Sequence, residues 1–340
     1  MLRRDFLLTA SKMMVATAAL SSQRAFAQAP GLKARGVYSA PGLSFAGLFI
    51  ASNAKLWAAN GLDLDLRQVQ GGPLAMAAMT NREADFAGVA ASDPIIGWDK
   101  GIKTIAVAAF TGALSMQFTA RNDWLMKKGL APDAPIADRL KAFKGARIGA
   151  STIGGGPAQY TRYLLRSVGI DPDRDVKILA VGFGASRMAA LRTNQVDVTV
   201  GDAPEADQIE LEGFGKLFVN CAQEIPEFEQ FPYTVLTVTP DVAEQKADVV
   251  RRVVHAVGEA NDMFTKNLGQ AMDIMKATFP NVPPAAIERA VGRDKAIYPR
   301  GGRMSEAMWR NSLKVSAAIK MIGHDLPAQE GVLWTNKFTS

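Results

Sequence analysis

Residues 146–169 predict a strand, a glycine-rich loop and a helix in immediate succession. A short apolar run at 147–150 is followed by Gly154-Gly155-Gly156, and Pro157 then stands where a helix would begin. Proline suits that position because its missing N–H is one that a helix start cannot pair. The helical pattern continues at Tyr160, Leu164 and Val168 and ends at Gly169. Such a loop leaves backbone N–H groups free at the positive end of a helix, so it can hold an anion without a charged side chain.

Residues 1–27 predict an export signal, with Arg3-Arg4 at its basic start, a weakly apolar stretch at 6–20 and an A-x-A cleavage site at Ala25-Phe26-Ala27. The arginine pair fits twin-arginine export, and an ordinary secretory signal is the alternative. Lys12 interrupts the apolar stretch, which is too short to span a bilayer. By either route we expect a periplasmic protein, cleaved near Ala27.

Charge and cysteine content exclude several classes of partner and cofactor. The net charge of +6 falls to +3 once the four basic residues and one acidic residue of the signal are removed, and no basic stripe is present, so nucleic acid is not an expected partner. Cys221 is the single cysteine, which excludes an intramolecular disulfide and a thiol metal site. His255 and His324 lie far apart in the sequence, so we expect no metal and no cofactor.

Strand and helix patterns alternate in two stretches of related layout, although the residues themselves show no clean repeat. A first strand is predicted to end at 37–39, and further strands are predicted at 62–66, 84–89, 104–109, 116–120, 147–150, 176–181, 196–200, 216–220 and 233–238. The longer helices are predicted at 45–60, 249–266, 270–278, 284–293 and 305–322, the last four packing on the first half. Ser92 or Asp93 is expected to cap another helix. This alternation predicts an α/β fold in which each half is a mostly parallel sheet flanked by helices.

We therefore predict two lobes with a ligand cleft between them, because ligands of such sheets bind outside the carboxyl ends of the strands. The chain would cross between lobes near 117–121 and again near 221–232. Lobe 1 would comprise residues 34–117 and 232–340, and lobe 2 residues 118–231.

Enzyme motifs are incomplete in this sequence. The dinucleotide-binding pattern that begins at Gly182 has Arg187 in place of its last glycine. The P-loop spacing of 149–154 is not followed by lysine, and the S-x-x-K match at 52–55 lacks its companion motifs. We therefore expect a binding protein and not an enzyme. Seven loops rich in Gly, Ser and Thr follow predicted strands instead, at 39–44, 70–73, 92–94, 111–115, 152–156, 183–187 and 202–205.

Short motifs occur in a fixed order along nearly all of the chain that follows the signal. They are Val37-Tyr38-Ser39, 70–79, 84–88 with Ser92-Asp93-Pro94, 144–149, 162–169 with Asp171-Pro172, and 189–197. In order and spacing they resemble the exported solute-binding proteins of ABC importers, in the group that takes sulfonates, nitrate, taurine and thiamine-pyrimidine precursors. The resemblance implies a type II periplasmic-binding-protein fold, a hinge-closing receptor whose closed form is read by a membrane permease.

Relatives that bind sulfonate or nitrate hold the anion with helix-start N–H groups and hydroxyls, and this resemblance implies a set of ligand-binding residues here. They are Ser39, Leu43, Gln70, Gly71, Gly72, Ser92, Asp93, Ser115, Thr152, Gly154, Gly155, Gly156, Phe183, Arg187 and Asp202. Of these, Gln70, Phe183, Arg187 and Asp202 would tune selectivity. The single cysteine, Cys221, disfavours two branches of this group of proteins. The yeast-type pyrimidine synthases need a cysteine-rich motif, and the sulfinate-cleaving enzymes need a cysteine near the first strand.

The expected function is a monomeric receptor that delivers a small organic anion, a sulfonate or a carboxylate, to an ABC permease. Aromatic residues near the predicted cleft, Phe45, Tyr160, Phe183 and Tyr233, leave open a thiamine pyrimidine precursor or another aromatic heterocycle. Two further classes also stay open. One is an exported enzyme on the same fold, and the other is a sensor that binds ligand and docks on a receptor kinase.

Overall fold

The computed structural model describes residues 31–131 and 133–339, and the predicted export signal lies outside them. The strands are β1 (Leu32–Tyr38), β2 (Leu62–Gln68), β3 (Phe86–Ala90), β4 (Ile105–Ala109), β5 (Gln117–Arg121), β6 (Arg147–Ala150), β7 (Lys177–Ala180), β8 (Val198–Gly201), β9 (Gly215–Asn220) and β10 (Thr234–Val238). Among the described residues, none of the helices combines the length and the apolar character that a membrane crossing requires.

Helices lie between most of the consecutive strands, and several of them begin at the predicted glycine and proline positions. They are α1 (Ala46–Asn53), α2 (Leu56–Ala59), α3 (Gly72–Thr80), α4 (Ser92–Asp99), α5 (Asn122–Lys128), α6 (Ile136–Lys141), α7 (Gly156–Ser167), α8 (Ala185–Arg192), α9 (Glu205–Leu211) and α10 (Cys221–Glu224). The C-terminal helices are α11 (Pro240–Gln245), α12 (Ala247–Lys266), α13 (Leu268–Thr278), α14 (Pro284–Asp294) and α15 (Glu306–Ala318).

Two five-stranded sheets form the framework, in the orders β2-β1-β3-β10-β4 and β7-β6-β8-β5-β9. In each sheet four strands run in one direction and one strand, β10 or β5, pairs antiparallel with both of its neighbours. That antiparallel strand is the one that enters from the other half of the chain. The predicted two-lobed α/β fold with mostly parallel sheets is thus confirmed, whereas the residue limits proposed for the lobes stay a prediction.

The two halves repeat the same construction, although the sequence shows no clean repeat. The backbone N–H of Arg35 donates to Asp85 Oδ2 over 2.8 Å, and that of Arg147 donates to Asp197 Oδ2 over 2.9 Å. Both pairs are 50 residues apart, and the second pair follows the first by 112 positions. The same offset relates Arg82 to Asn194, which adopt left-handed φ values of 64° and 65°. Equivalent residues of the two halves can therefore be compared directly.

The core surrounds both sheets, and the C-terminal helices cover mainly the first of them. The valines of α12 and Phe264 pack in one cluster with Phe45, Phe86 and Phe110, and α15 buries Trp309 completely. The expected packing of these helices on the first half is correct for α12 and α13. In α14, however, Arg293 Nη1 reaches Asp207 Oδ1 of α9 over 2.7 Å, so this helix also contacts the second half.

Three local predictions are wrong. The helix predicted at 45–60 divides into α1 and α2, because Lys55 adopts a left-handed φ of 57° that an α-helix cannot contain. The helix predicted at 305–322 ends at Ala318, shortly before Lys320 with its φ of 55°. Neither Ser92 nor Asp93 caps α4, since Ala91 occupies the N-cap position and no side chain bonds the helix start there.

Candidate functional site

A small cavity of about 50 Å³ lies between the two sheets, at the carboxyl ends of β1, β3, β6 and β8. Ten of the predicted ligand-binding residues line it: Ser39, Gly71, Gly72, Asp93, Thr152, Gly155, Gly156, Phe183, Arg187 and Asp202. They come from both halves of the chain. The volume is enough for a small anionic group or a few water molecules.

The other five predicted residues lie elsewhere. Gln70 and Gly154 are exposed, and Leu43 is part of the hydrophobic core of the first half. Ser115 is buried in the segment that connects the two sheets, and Ser92 is buried behind the cavity wall. A Cβ at Gly156 would stand 3.0 Å from Ser92 Oγ, so Ser92 lies at the interface between the halves without lining the cavity.

Several lining residues were not predicted from the sequence as ligand-binding. They include Ser151, Gly201 and Thr234, together with Phe45 and Tyr233, which had been noted only as aromatic residues near the cleft. Ser151 directly follows β6 as Ser39 follows β1, and the two are 112 positions apart. Alignment of the two halves by this offset would have found Ser151.

Two helix starts from opposite halves face the cavity. In α3 the start is Gly71-Gly72, and in α7 it is Gly155-Gly156. A Cβ at Gly72 would stand 2.0 Å from Asp93 Oδ2, so any side chain there would displace the Asp93 carboxyl. Within the described part of the chain, the amides of Gly72, Gly155 and Gly156 have no backbone hydrogen-bond partner. These N–H groups are therefore available to donate hydrogen bonds to a negatively charged group.

Asp202 links the two halves across the cleft. Ser44 Oγ donates to Asp202 Oδ2 over 2.8 Å, and the Tyr233 hydroxyl donates to Asp202 Oδ1 over 3.0 Å. Next to it, the Leu43 amide donates to the Ala203 carbonyl over 3.0 Å. Burial raises the pKa of Asp202 despite these donors and the nearby Arg187 guanidinium. The cleft is thus held closed by direct hydrogen bonds between the halves.

We expect Tyr233→Phe to lower the free energy of unfolding by about 1–2 kcal/mol, because it removes one donor from a buried carboxyl. Tyr163→Phe is the matched control, since its hydroxyl contacts Glu227 Oε1 at an exposed site over 3.3 Å. Urea unfolding of both variants measures the difference. An equal, small effect of the two substitutions would show that the Tyr233 bond does not hold the cleft.

Arg187 lines the cavity, but Glu205 already neutralises its charge. Arg187 Nε and Nη2 each donate to a Glu205 oxygen over 2.8 Å, and both side chains are buried. This bidentate geometry is the strongest form of arginine–carboxylate pairing. The structure therefore gives Arg187 a partner within the protein, so it does not supply a free positive charge to the cavity.

Asp93 occupies the position equivalent to Glu205 by the 112-residue offset, and the residue equivalent to Arg187 is Ala75. Asp93 is 8% exposed, and among the described residues a backbone hydrogen bond from Ala90, but no cationic side chain, acts on its carboxyl. Burial raises the pKa of Asp93 to about 7. A carboxyl at this position can therefore be neutral near neutral pH and donate a hydrogen bond into the cavity.

The two histidines stand apart from the cavity, on exposed surfaces. His255 Nδ1 lies 2.8 Å from Asn60 Oδ1, and His324 Nδ1 lies 3.0 Å from Asp99 Oδ1. Cys221 is a buried free thiol whose pKa is raised by burial. Within residues 31–131 and 133–339, no cluster of His, Cys, Asp and Glu has the composition of a metal site.

Comparison with known proteins gives matches over most of the chain. The sequence profile of the NMT1-like family matches residues 40–278. YtlA of Bacillus subtilis (strain 168), which carries a provisional description as a binding protein, is 24% identical over 275 residues, covering 78% of this chain and 77% of that protein.

Two solved structures show the same fold. The alkanesulfonate-binding protein SsuA from Xanthomonas axonopodis pv. citri, bound to MOPS, superposes with a TM-score of 0.68 at 16% identity, covering 90% of this chain and 97% of that one. The periplasmic nitrate-binding protein NrtA from Synechocystis PCC 6803 superposes with a TM-score of 0.64 at 18% identity, covering 82% of this chain and 74% of that one. At these identities the likeness establishes the fold alone.

Proposed function

The chain belongs to the NMT1-like family, and from this premise we propose that it is the periplasmic substrate-binding component of an ABC importer for a small organic anion. The observation that carries the proposal is the pair of glycine helix starts that face one small cavity from opposite halves. An anion between them accepts hydrogen bonds from both halves at once, so its binding stabilises the closed form. A membrane permease would recognise and bind that closed form. The protein itself acts by binding and not by catalysis.

The anionic group would contact the amides of Gly72, Gly155 and Gly156, and the hydroxyl-bearing residues Ser39, Ser151 and Thr152 line the same cavity. Asp93 in its protonated form would donate to the anion as well. Because Arg187 is paired with Glu205, recognition rests on neutral donors, as at other helix-start anion sites.

Thermal unfolding with a ligand panel tests the proposal. The panel contains nitrate, methanesulfonate, benzenesulfonate and benzoate, with 4-amino-2-methylpyrimidine as the heterocyclic member. A ligand present at a hundredfold over its Kd should add about 2.7 kcal/mol of stability. If no anion stabilises the protein between pH 6 and pH 9, it is not an anion receptor.

A second candidate ligand is an aromatic heterocycle that carries N–H donors, such as a pyrimidine. Two carboxyls, Asp93 and Asp202, line the cavity beside the rings of Phe45, Phe183 and Tyr233. An ionised Asp93 could accept two N–H bonds from an aminopyrimidine, and the rings could stack on it. This ligand requires Asp93 to be ionised, whereas the anion requires it to be protonated.

The pH dependence of binding therefore distinguishes the two ligands. For an anion, affinity should be constant well below pH 7 and fall by about tenfold per pH unit above it, because one proton must be bound. For an aminopyrimidine, affinity should instead rise by about tenfold per pH unit up to about pH 7 and be constant above it, because one proton must be released. Isothermal titration calorimetry at pH 6 and pH 9, in two buffers of different ionisation enthalpy, measures the affinity and the number of protons taken up.

The other titratable groups at the site must be included in this experiment. Asp202, Tyr233 and the Arg187–Glu205 pair line the same cavity, and Tyr160 lies beside Asp93. Burial also raises the pKa of Asp202, so a pH effect of the same sign could come from that group. Loss of the pH dependence in an Asp93→Asn variant assigns the proton to Asp93, and its retention assigns the proton elsewhere.

A further inference from the structure

A second, larger cavity of about 510 Å³ adjoins the small one, and we call it the outer chamber. Four residues line both cavities: Ala40, Phe183, Arg187 and Asp202. The walls of the outer chamber come from α8 and α9 of the second half, and from the segments 40–42 and 279–282 of the first. Because it is built from both halves, the chamber has its full set of walls only when the cleft is closed.

The surface of the outer chamber is mainly apolar, with Pro41, Met188 and Val282 together with the rings of Phe183 and Phe279. The ring of Phe279 is fixed edge-on against Phe49, with centroids 5.5 Å apart.

The charged side chains of the chamber walls are already used within the protein. Arg187 is paired with Glu205, and Arg192 is paired with Glu212. Asp202 accepts from Ser44 and Tyr233. With these pairs formed, the outer chamber suits an uncharged group, and an isolated charge placed there would lose hydration without gaining a partner.

The volumes of the two cavities constrain the size of the ligand. A volume of about 50 Å³ accommodates an anionic group of a few atoms, whereas about 510 Å³ lies within the range of pockets that enclose whole organic ligands. A bare inorganic anion would leave the outer chamber to water and its apolar walls uncovered. The geometry thus fits a ligand with a small charged end and a larger apolar body.

We propose that the ligand is an aryl sulfonate or aryl carboxylate, whose anionic group occupies the small cavity and whose ring occupies the outer chamber. This proposal rests on the proposed function, since it assumes that the small cavity holds the anionic group. The aromatic body is chosen over an alkyl chain because Phe183 and Phe279, one from each half, both present rings to the chamber.

A homologous series of sulfonates tests the proposal on the unaltered protein. Methanesulfonate, benzenesulfonate and naphthalene-2-sulfonate share one anionic group and differ in the apolar body. Calorimetric titration of the full chain at pH 6 should show benzenesulfonate binding at least about tenfold more tightly than methanesulfonate, as burial of an aromatic ring predicts. Octane-1-sulfonate, of comparable apolar area, should bind less tightly than naphthalene-2-sulfonate.

A substitution in the chamber provides the second measurement. Ala189 lines the outer chamber on the exposed side of α8, so Ala189→Trp should fill the chamber without disturbing the core. It should weaken naphthalene-2-sulfonate by about tenfold or more and leave methanesulfonate within about twofold. Ser186→Trp is the matched control, because Ser186 is exposed on the same helix and does not line the chamber.

The possible outcomes separate the two proposals. If methanesulfonate binds as tightly as the aryl sulfonates, or if Ala189→Trp weakens all sulfonates equally, the outer chamber does not hold the ligand and the anion receptor stands. If octane-1-sulfonate binds best, the outer chamber holds an alkyl chain, and the proposal of an aromatic ligand is wrong. If no sulfonate or carboxylate binds at any pH, the proposed function itself fails.

Discussion

Gly155→Val should reduce the affinity for an anionic ligand by about 100-fold or more, equivalent to about 2.7 kcal/mol, with little change in the stability of the ligand-free protein. A Cβ at this position would stand 2.6 Å from Thr152 Oγ1, so the valine displaces a cavity-lining hydroxyl. Its branched side chain also enters a cavity of about 50 Å³ that has no room for it. The backbone accepts the change, because Gly155 has a φ of −78° that any residue adopts.

Gly154→Val is the matched control for this prediction. Gly154 precedes Gly155 in the same loop, is exposed, and would place its Cβ with no atom within 4 Å. It should therefore bind the ligand as the unaltered protein does. Titration with benzenesulfonate measures both variants, and their thermal unfolding without ligand shows whether each is folded. Full affinity in Gly155→Val would mean that the α7 helix start does not contact the ligand.

Asp93→Asn should stabilise the ligand-free protein by about 4 kcal/mol at pH 8 and by almost nothing at pH 4. The gap between the ordinary carboxyl pKa of 3.8 and a pKa of about 7 corresponds to that free energy. Between these two values the folded protein holds a proton on Asp93 that the unfolded chain has released. Stability therefore falls as pH rises from about 4 to 7, and asparagine, which does not ionise, removes this loss.

Urea unfolding at several pH values measures the effect, and Asp63→Asn on the exposed face of β2 serves as control. The Asp63 variant should follow the pH profile of the unaltered protein. If Asp93→Asn shows the same slope between pH 4 and pH 8 as the control, the carboxyl does not carry its proton in the folded state.

The same variant also tests the identity of the ligand. The amide N–H of asparagine donates a hydrogen bond at every pH, so an anion should bind Asp93→Asn at pH 9 about as well as at pH 6. An aminopyrimidine loses a carboxylate acceptor and should bind the variant at least tenfold more weakly, as expected when a charged hydrogen-bond partner is removed.

Local sequence patterns predicted most of the framework correctly. The strand at Arg147–Ala150 has the predicted bounds, and α3 and α7 begin at the predicted glycine–proline loops. These features depend on residues close together in the chain, where a missing N–H, a missing Cβ or an apolar period decides the conformation. The break at Lys55 was missed, because a left-handed lysine leaves no signal in the apolar spacing.

The charge state of the site could not be predicted in the same way. An arginine such as Arg187 in a predicted cleft loop is expected to bind an anion, and only the fold places Glu205 against it. From its sequence position Asp93 is expected to cap a helix, and only the fold buries it opposite Gly72, with no cationic side chain against it among the described residues. The outer chamber likewise combines Phe183 with Phe279, which are distant in the sequence.

The sequence by itself determined the alternation of strands and helices, the glycine-rich helix starts and the two related halves, since each of these follows from short-range backbone and side-chain preferences. The tertiary structure alone decided which of those loops meet in one cavity, which charges neutralise one another and how much space remains. Contacts such as Ser44 Oγ to Asp202, 158 residues apart, exist only once both sheets have packed, because burial and charge pairing depend on neighbours in space.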